Sequence, residues 1–397
     1  MAVVGPGLLA GLSDDDPAGI TTYSILGADY GYRLLWVLAV STAALIVFHE
    51  VAARTGIATG KGLARLVRER YGVRATAVAL SALVIANLGT LCAEFAGVAA
   101  GMKLAGIPPW ASVPVAAVAV TALVVRGSFH RVEHLLLALS AVFVAYVGAG
   151  YLSHPSWAAV GRGLVVPSLP PTRAAVLAAV ACVGTTLAPW GLAFIQSYVV
   201  DKRLVIAELR YERADVVLGA VMTGLIGAFV IVACAATLHP SGVRIEDASD
   251  AALALRPVAG SLAAGLFGLG FVGASLLAAA VVPLSTAYSV AEALERPADL
   301  DDRFRDAPVF YGTFFTSVGL GALVAILPGA PLITILFITQ VANAILLLAI
   351  LPFMRALARD DSLMGEHRLG TAGSFATAAV ITLVAASVVT LAVLQFR

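Results

Sequence analysis

Long apolar runs separated by short polar segments follow one another along the whole chain. A helix needs roughly 20 predominantly apolar residues to cross a membrane. On that basis the pattern predicts eleven spans, at residues 4–28, 34–53, 75–100, 109–125, 132–152, 174–199, 215–237, 258–290, 308–327, 331–354 and 372–395. The run at 258–290 exceeds one span, so we expect it to tilt or to extend beyond the bilayer.

The first run is interrupted by three adjacent carboxylates, Asp14, Asp15 and Asp16, and then by Pro17. Neither flank is long enough to span alone, but together they are, which favours one helix broken at Asp16-Pro17. The alternative is an exposed loop, which leaves the first flank unable to cross. Backbone freed by a break is tolerated at membrane depth only where it lines a cavity or is buried in protein. Ionisable groups at that depth are costly, so these carboxylates are functional candidates.

Composition agrees with a multi-pass membrane protein. Hydrophobic residues make up 60% of the chain and charged residues 12%, whereas soluble domains carry about 25% charged residues. The net charge of +1 excludes nucleic-acid binding, which needs a basic surface. Cys92, Cys182 and Cys234 all lie in apolar runs, so no disulfide or zinc framework is expected. The first residues lack a basic segment and a cleavage site, so no removable signal peptide is expected.

The distribution of Lys and Arg predicts the orientation in the membrane. They fall between or at the ends of the predicted spans, and most of the 25 lie in segments 54–74, 126–131, 200–214, 291–307 and 355–371. By the positive-inside rule these segments are cytoplasmic. We therefore expect a protein of the cell (inner) membrane with its N-terminus inside and its C-terminus outside.

A second interruption occurs in the sixth run, where Gly184, Pro189 and Gly191 lie at its middle. Taken alone, this is equally consistent with a simple proline kink. The first and sixth runs are five apart, however, and paired interruptions in two halves point to a transporter with inverted repeats. The repeats are then about 4–152 and 174–354, with an extra helix at about 372–395, all in a single transmembrane domain.

Several glycines have spacings typical of close helix packing. Gly7-x-x-x-Gly11 and Gly97-x-x-x-Gly101 match the small-xxx-small pattern. The segment 268–273 has the glycine spacing of a dinucleotide-binding loop, but it lies inside an apolar run with no preceding strand. The physical context that such a loop requires is missing. We interpret this segment as another helix contact, and we expect no cofactor.

Four motifs together resemble the Nramp divalent-metal transporters over nearly the whole chain. They are Gly5-Pro6-Gly7, Asp16-Pro17, Gly56-Ile57-Ala58-Thr59-Gly60-Lys61 and Thr90-Leu91-Cys92-Ala93-Glu94-Phe95. The resemblance implies an all-α polytopic membrane protein with the LeuT-type fold. It further implies a 5+5 inverted repeat plus one helix, broken helices 1 and 6, and a metal ion held between the two breaks.

The chain departs from the family pattern at four positions. Where the family has Asp-Pro-Gly-Asn, Asp16 is kept but Gly19 replaces the asparagine ligand. Where the family has Met-Pro-His, Ala188 and Trp190 replace the thioether and the imidazole. One carboxylate associated with proton movement is replaced by Leu91. These changes resemble the Nramp-related magnesium transporter branch.

The donor chemistry favours a hard ion independently of the resemblance. Thioether ligands select softer metals, whereas carboxylates, carbonyls and water suit Mg²⁺ and Mn²⁺, and Mg²⁺ usually keeps several waters. Asp16 is the first-choice ligand, Ser13 and Thr185 offer carbonyls, and Ala188 opens space. The full candidate metal set is Ser13, Asp14, Asp15, Asp16, Gly19, Thr185, Thr186, Ala188 and Gln340.

Three further carboxylates have open roles. Asp14 and Asp15 cannot both face the site on a helix, so one of them lines the access route or contacts a neighbouring helix. Glu94 is a proton acceptor, a vestibule charge or a carboxylate hydrogen-bonded to another helix. The pair His49-Glu50 is interpreted as interfacial rather than as a metal site.

These observations predict an alternating-access transporter of Mg²⁺, and also of Mn²⁺, without proton coupling. The alternative is a proton-coupled Mn²⁺/Fe²⁺ transporter of the ordinary Nramp type. Sodium-coupled amino-acid transport is disfavoured because three aspartates would face the anionic substrate. A membrane enzyme is disfavoured because no other mid-span aspartate and no deeply placed histidine is seen. The expected partners are the metal ion and the lipid bilayer, with no obligate protein partner.

Overall fold

The computed structural model describes residues 5–125, 141–298 and 304–395, and throughout these ranges the chain is built from helices and turns without strands. The α-helices, numbered in chain order, are α1 (Pro6–Ser13), α2 (Pro17–Tyr30), α3 (Leu35–Thr59), α4 (Leu63–Lys103), α5 (Pro109–Val125), α6 (Ala145–Leu152), α7 (Trp157–Val165), α8 (Arg173–Thr186), α9 (Pro189–Asp201), α10 (Leu209–Thr237), α11 (Ala248–Ala252), α12 (Arg256–Ala259), α13 (Ala263–Ala293), α14 (Pro308–Ile326), α15 (Leu332–Leu347), α16 (Leu351–Ala358), α17 (Asp361–Met364) and α18 (Thr371–Gln395).

Most predicted spans correspond to long apolar helices. Seven helical segments in the described part of the chain are long and apolar enough to cross a membrane, or eight if α15 and α16, bent by 41°, form one span. The helix α5 is apolar but shorter. Residues 132–140 of the predicted span at 132–152 lie outside the described residues, so the total of eleven stays a prediction, as do the repeat boundaries and the orientation.

Two helical regions were not predicted from hydrophobicity: the start of α4 and the whole of α7. The helix α4 begins at Leu63, twelve residues before the predicted span, and bends at Gly72, which has a φ of 76°. Glycine adopts this conformation without steric cost, so the bend separates the basic turns of α4 from its apolar part. The helix α7 was not predicted because it is short; Ser156 caps its first turn by accepting from the Ala159 N–H at 3.4 Å.

Both predicted helix breaks are confirmed. The helix α1 ends at Ser13, and α2 begins at Pro17 with Asp16 as its N-cap residue. The sixth span is interrupted between α8 and α9, where Ala188 has extended dihedral angles (φ −61°, ψ 130°) before Pro189. The interpretation of this second break as a simple proline kink is therefore wrong, because the backbone leaves the helical conformation.

The short helix α1 is fixed against α10 by its glycines and by hydrogen bonds. A Cβ on Gly7 would lie 2.5 Å from the Val216 nitrogen, and one on Gly11 would lie 2.6 Å from the Gly219 carbonyl carbon. The carboxylate of Asp215 accepts a hydrogen bond from the Gly7 N–H at 2.7 Å. Only glycine permits this backbone approach, so the small-xxx-small prediction for this pair is confirmed.

A second pair of glycines brings α4 against α13. A Cβ on Gly101 would lie 3.0 Å from the Gly268 carbonyl oxygen, and one on Gly268 would lie 3.1 Å from the Gly101 carbonyl oxygen. Gly268 lies within the uninterrupted helix α13. The segment 268–273 is therefore a helix contact and not a dinucleotide-binding loop, as predicted.

The Gly-Ile-Ala-Thr-Gly motif forms the last turn of α3 and leads into the tight turn before α4. Gly60 ends α3 in the left-handed conformation (φ 62°). The Gln196 side chain of α9 donates to the Lys61 carbonyl at 3.1 Å. Glu292 of α13 packs against Gly62, and its carboxylate accepts from the Ser197 hydroxyl at 2.6 Å. The turn thus ties the second half of the sixth span to α3 and α13.

Candidate metal site at the first helix break

Four carboxyl groups are buried around the first break. The exposed fractions are 1% for Asp14, 2% for Asp15, 4% for Asp16 and 0% for Glu94. None of them takes part in an ion pair formed within residues 5–125, 141–298 and 304–395. Buried charges in proteins are normally paired or bound to a metal ion. The break therefore concentrates carboxyl groups that lack a protein counter-ion.

Oxygens from both breaks converge beside Gly19. The position that a Cβ on Gly19 would take lies 2.8 Å from the Asp14 carbonyl oxygen, 3.2 Å from the Thr185 hydroxyl and 3.3 Å from the Asp16 carboxylate. Because Gly19 has no side chain, one carbonyl, one hydroxyl and one carboxylate oxygen can approach the start of α2 closely. These donors suit Mg²⁺ and Mn²⁺.

Two of these oxygens, those of Asp16 and Thr185, differ in whether they have a hydrogen-bond partner in the protein. Asp16 accepts a hydrogen bond from the Gly19 N–H at 2.6 Å, which fixes one carboxylate oxygen at the start of α2. The Thr185 hydroxyl is buried and has no hydrogen-bond partner. A hydroxyl in this state costs free energy unless a partner arrives, which is consistent with a ligand or an ion-bound water completing the site.

Glu94 of α4 lies beside Asp16 and interacts with it electrostatically. The two carboxyl groups are far apart in the sequence. They meet because α4 crosses the first break, where Gly97, one turn after Glu94, packs against Pro17. The structure therefore places the predicted carboxylate next to the first-choice ligand, and not at a distant vestibule.

The interpretation of His49 as an interfacial residue is wrong. His49 is fully buried, and neither of its ring nitrogens has a hydrogen-bond partner. A Cβ on Gly191, at the start of α9, would lie 3.5 Å from the His49 Nε2 atom and 3.8 Å from the Asp14 Oδ1 atom. Of the pair, Glu50 is partly exposed, and it forms ion pairs with Arg54 and Arg213. Adjacent residues on a helix point about 100° apart, so His49 and Glu50 face different surroundings although they are neighbours in the sequence.

One sequence signal could have found this histidine. Positions 45, 49, 52 and 56 follow the three-and-four spacing of a single helix face, and all of them are buried. Gly56 on that face approaches the Gln196 backbone of α9. His49 is thus the one ionisable side chain on the stripe with which α3 packs against the second broken span.

Several predicted donors are engaged elsewhere. The Thr186 hydroxyl donates to the Cys182 carbonyl at 2.8 Å and lies 3.1 Å from the Tyr23 hydroxyl. The Gln340 amide oxygen accepts from Asn343 at 3.0 Å. The Ala188 carbonyl accepts from the Gly191 N–H at 3.1 Å. These groups border the breaks, but they form hydrogen bonds with other protein groups.

The remaining predicted residues stay near the break without forming a chelate. Ser13 is 2% exposed and its hydroxyl has no partner, and the same holds for both carboxylate oxygens of Asp15. Within the described ranges, no three His, Cys, Asp or Glu side chains are arranged to hold one metal ion. A bound ion would therefore rely on a mixed set of carboxylate, backbone and hydroxyl oxygens, together with its own water.

Comparison with known proteins identifies the same family that the sequence motifs resemble. Residues 7–394 match the family described as Nramp, natural resistance-associated macrophage protein-like. A divalent metal cation transporter MntH of Burkholderia ambifaria is 32% identical over 66% of this chain and 62% of its own length. Another protein of that name, from Pectobacterium carotovorum subsp. carotovorum, is 32% identical over 72% of this chain and 71% of its own.

Solved structures share the fold at low sequence identity. A manganese transporter of Eremococcus coleocola superimposes with a TM-score of 0.75 at 19% identity, covering 99% of this chain and 85% of that one. MhsT in complex with L-phenylalanine gives a TM-score of 0.63 at 16% identity, covering 98% and 97%. The nucleobase-cation-symport-1 transporter Mhp1 gives 0.57 at 15%, covering 98% and 90%. The predicted LeuT-type fold is confirmed.

Proposed function

The chain belongs to the Nramp family, and on that premise we propose that it moves divalent metal cations across the membrane. In this proposal the ion is held at the first helix break, by the oxygens that converge beside Gly19. Membership of the family also supports a transporter rather than an enzyme.

The observation that carries the proposal is the cluster of buried carboxyl groups without a counter-ion at the break. Asp14, Asp15, Asp16 and Glu94 are each at most 4% exposed. Holding several carboxylates in a membrane interior costs several kcal/mol for each charge unless a cation compensates it. A transported divalent cation supplies that compensation, and the oxygens beside Gly19 give it a place to bind.

We propose Mn²⁺ as the principal ion, carried with protons in the manner of an ordinary Nramp transporter. Two relatives named as divalent metal cation transporters, each 32% identical to this chain, support divalent-metal transport, and a neighbour in fold is named as a manganese transporter. Mg²⁺ transport without protons is the second candidate. It is favoured by the oxygen donors that converge beside Gly19 and by Ala188, which offers no thioether.

The test is uptake of Mn²⁺ and of Mg²⁺ into proteoliposomes that contain a lumenal pH dye. The variant Asp16→Asn keeps an oxygen that can cap α2 but removes the charge. We expect it to lower divalent-ion uptake about 10- to 100-fold, the usual effect of disturbing a metal site. The control is Asp361→Asn, which affects an exposed carboxylate paired with Arg368.

Each outcome decides one part of the proposal. Unchanged uptake by Asp16→Asn would contradict transport through this site. Mn²⁺ uptake with lumenal acidification, and little Mg²⁺ uptake, would support the principal version. Uptake of both ions without acidification would favour the second candidate.

A further inference from the structure

A buried histidine and a buried carboxylate face the same small space on the other side of the first break. The His49 Nε2 atom and the Asp14 Oδ1 atom lie 3.5 Å and 3.8 Å from the position of a Cβ on Gly191. His49 comes from α3, Asp14 follows α1, and Gly191 belongs to the first turn of α9. Three separate helices therefore meet at this point.

A purely structural role does not account for His49. Buried polar side chains are nearly always hydrogen-bonded, because an unmade bond costs about 1–3 kcal/mol. His49 is fully buried, yet both ring nitrogens lack a partner, as do both carboxylate oxygens of Asp14. An imidazole that only filled space could be replaced by an apolar side chain without this cost.

The two groups together have the chemistry of a cation site. A neutral imidazole is a metal ligand through either nitrogen, and a carboxylate supplies charge and a second donor. Both distances to the Gly191 position are ordinary van der Waals separations, so the two side chains border a gap that accepts a methyl-sized group without a clash. Imidazole favours transition metals such as Fe²⁺ and Co²⁺, whereas Mg²⁺ prefers oxygen donors.

We propose that Asp14 and His49 form a second cation subsite, adjacent to Asp16, that favours divalent transition metals over Mg²⁺. The proposal rests on the proposed transport function and adds a selectivity element to it. The second break lacks both a thioether and an imidazole, and His49 supplies a nitrogen ligand from α3 instead.

The test combines transport with spectroscopy on the full-length protein in liposomes. The variant His49→Gln keeps a polar side chain but removes the imidazole. We expect the ratio of Co²⁺ to Mg²⁺ uptake to fall about tenfold, as for loss of one partner in a metal site. Pulsed electron paramagnetic resonance of bound Mn²⁺ should show coupling to an imidazole nitrogen in the wild type and none in this variant.

Two further variants keep the result interpretable. Glu50→Gln changes the next residue on α3, which faces Arg54 and Arg213, and should alter neither the ratio nor the nitrogen signal. Gly191→Ala fills the space between His49 and Asp14 without a forced clash. It should lower the Co²⁺ to Mg²⁺ ratio even if His49→Gln fails to fold.

The outcomes separate this inference from the proposed function. If Asp16→Asn abolishes uptake while His49→Gln and Gly191→Ala both keep the wild-type Co²⁺ to Mg²⁺ ratio, the subsite is refuted and the transport function stands. An equal loss of Co²⁺ and Mg²⁺ uptake in Gly191→Ala, with the nitrogen signal intact, would likewise refute it. Loss of the nitrogen signal in His49→Gln alone, together with a changed ratio, would establish it.

Discussion

The two broken spans use the same backbone device with different chemistry. In both, a proline begins the second half-helix after an extended residue, Asp16 in one and Ala188 in the other. Asp16 caps its helix with a carboxylate, whereas Ala188 has no capping side chain. The first break therefore contributes the charge, and the second contributes only neutral groups such as the Thr185 hydroxyl. A cation site between them needs charge from one side only.

The two breaks also differ in how they are attached to the rest of the molecule. The first half-helix, α1, has eight residues and is fixed to α10 through glycine contacts and Asp215. The corresponding α8 has fourteen residues, and Gly184 presses it against the Gln340 backbone of α15. The short half-helix that precedes the carboxylates thus depends on a few specific contacts, while α8 is buried along most of its length.

The largest expected effect comes from breaking the attachment of α1. A side chain in Gly11→Leu must displace the α10 backbone at Gly219, which lies 2.6 Å from the Cβ position. Overpacking of this kind costs about 1–3 kcal/mol. We expect a lower midpoint of thermal unfolding and loss of ion uptake. Gly319→Leu, at an exposed position with no atom within 4 Å, is the control and should change neither quantity.

A smaller effect should follow from giving the second break a soft ligand. Ala188→Met introduces a thioether, which favours softer metals. We expect competition of Cd²⁺ against Mg²⁺ uptake to strengthen about tenfold, equivalent to about 1.4 kcal/mol. The control is Ala188→Leu, which adds similar volume without sulfur. Equal changes in the two variants would show that space, and not ligand softness, controls selectivity at this break.

The smallest expected effect distinguishes the two neighbouring threonines. Thr185→Val removes the unpartnered hydroxyl beside Gly19, and we expect about a fivefold loss of apparent ion affinity from one lost hydrogen bond of about 1 kcal/mol. Thr186→Val instead removes contacts with Cys182 and Tyr23. It should lower thermal stability and leave apparent affinity unchanged. A reversed pattern would assign the ion-facing hydroxyl to Thr186.

Much of the site was predictable because its residues are adjacent in the sequence. The carboxylates of the first break, the proline after each break and the helix-packing glycines are all visible as local patterns. Their meaning follows from the cost of charge and of free backbone in a membrane. Glu94 was identified through its motif, but its position beside Asp16 required the packing of α4 across the break.

The sequence by itself determined the class of protein, the two breaks and the acidic character of the site, because hydrophobic run length and helix-breaking residues act locally. Only the tertiary structure decided which donors meet. It turned the Thr186 and Gln340 side chains toward protein partners, left Thr185 unpartnered and brought both His49 and Asp14 close to Gly191. The physical reason is that the partners of a helical side chain depend on which neighbouring helix packs against its face. This packing depends on contacts between residues far apart in the chain.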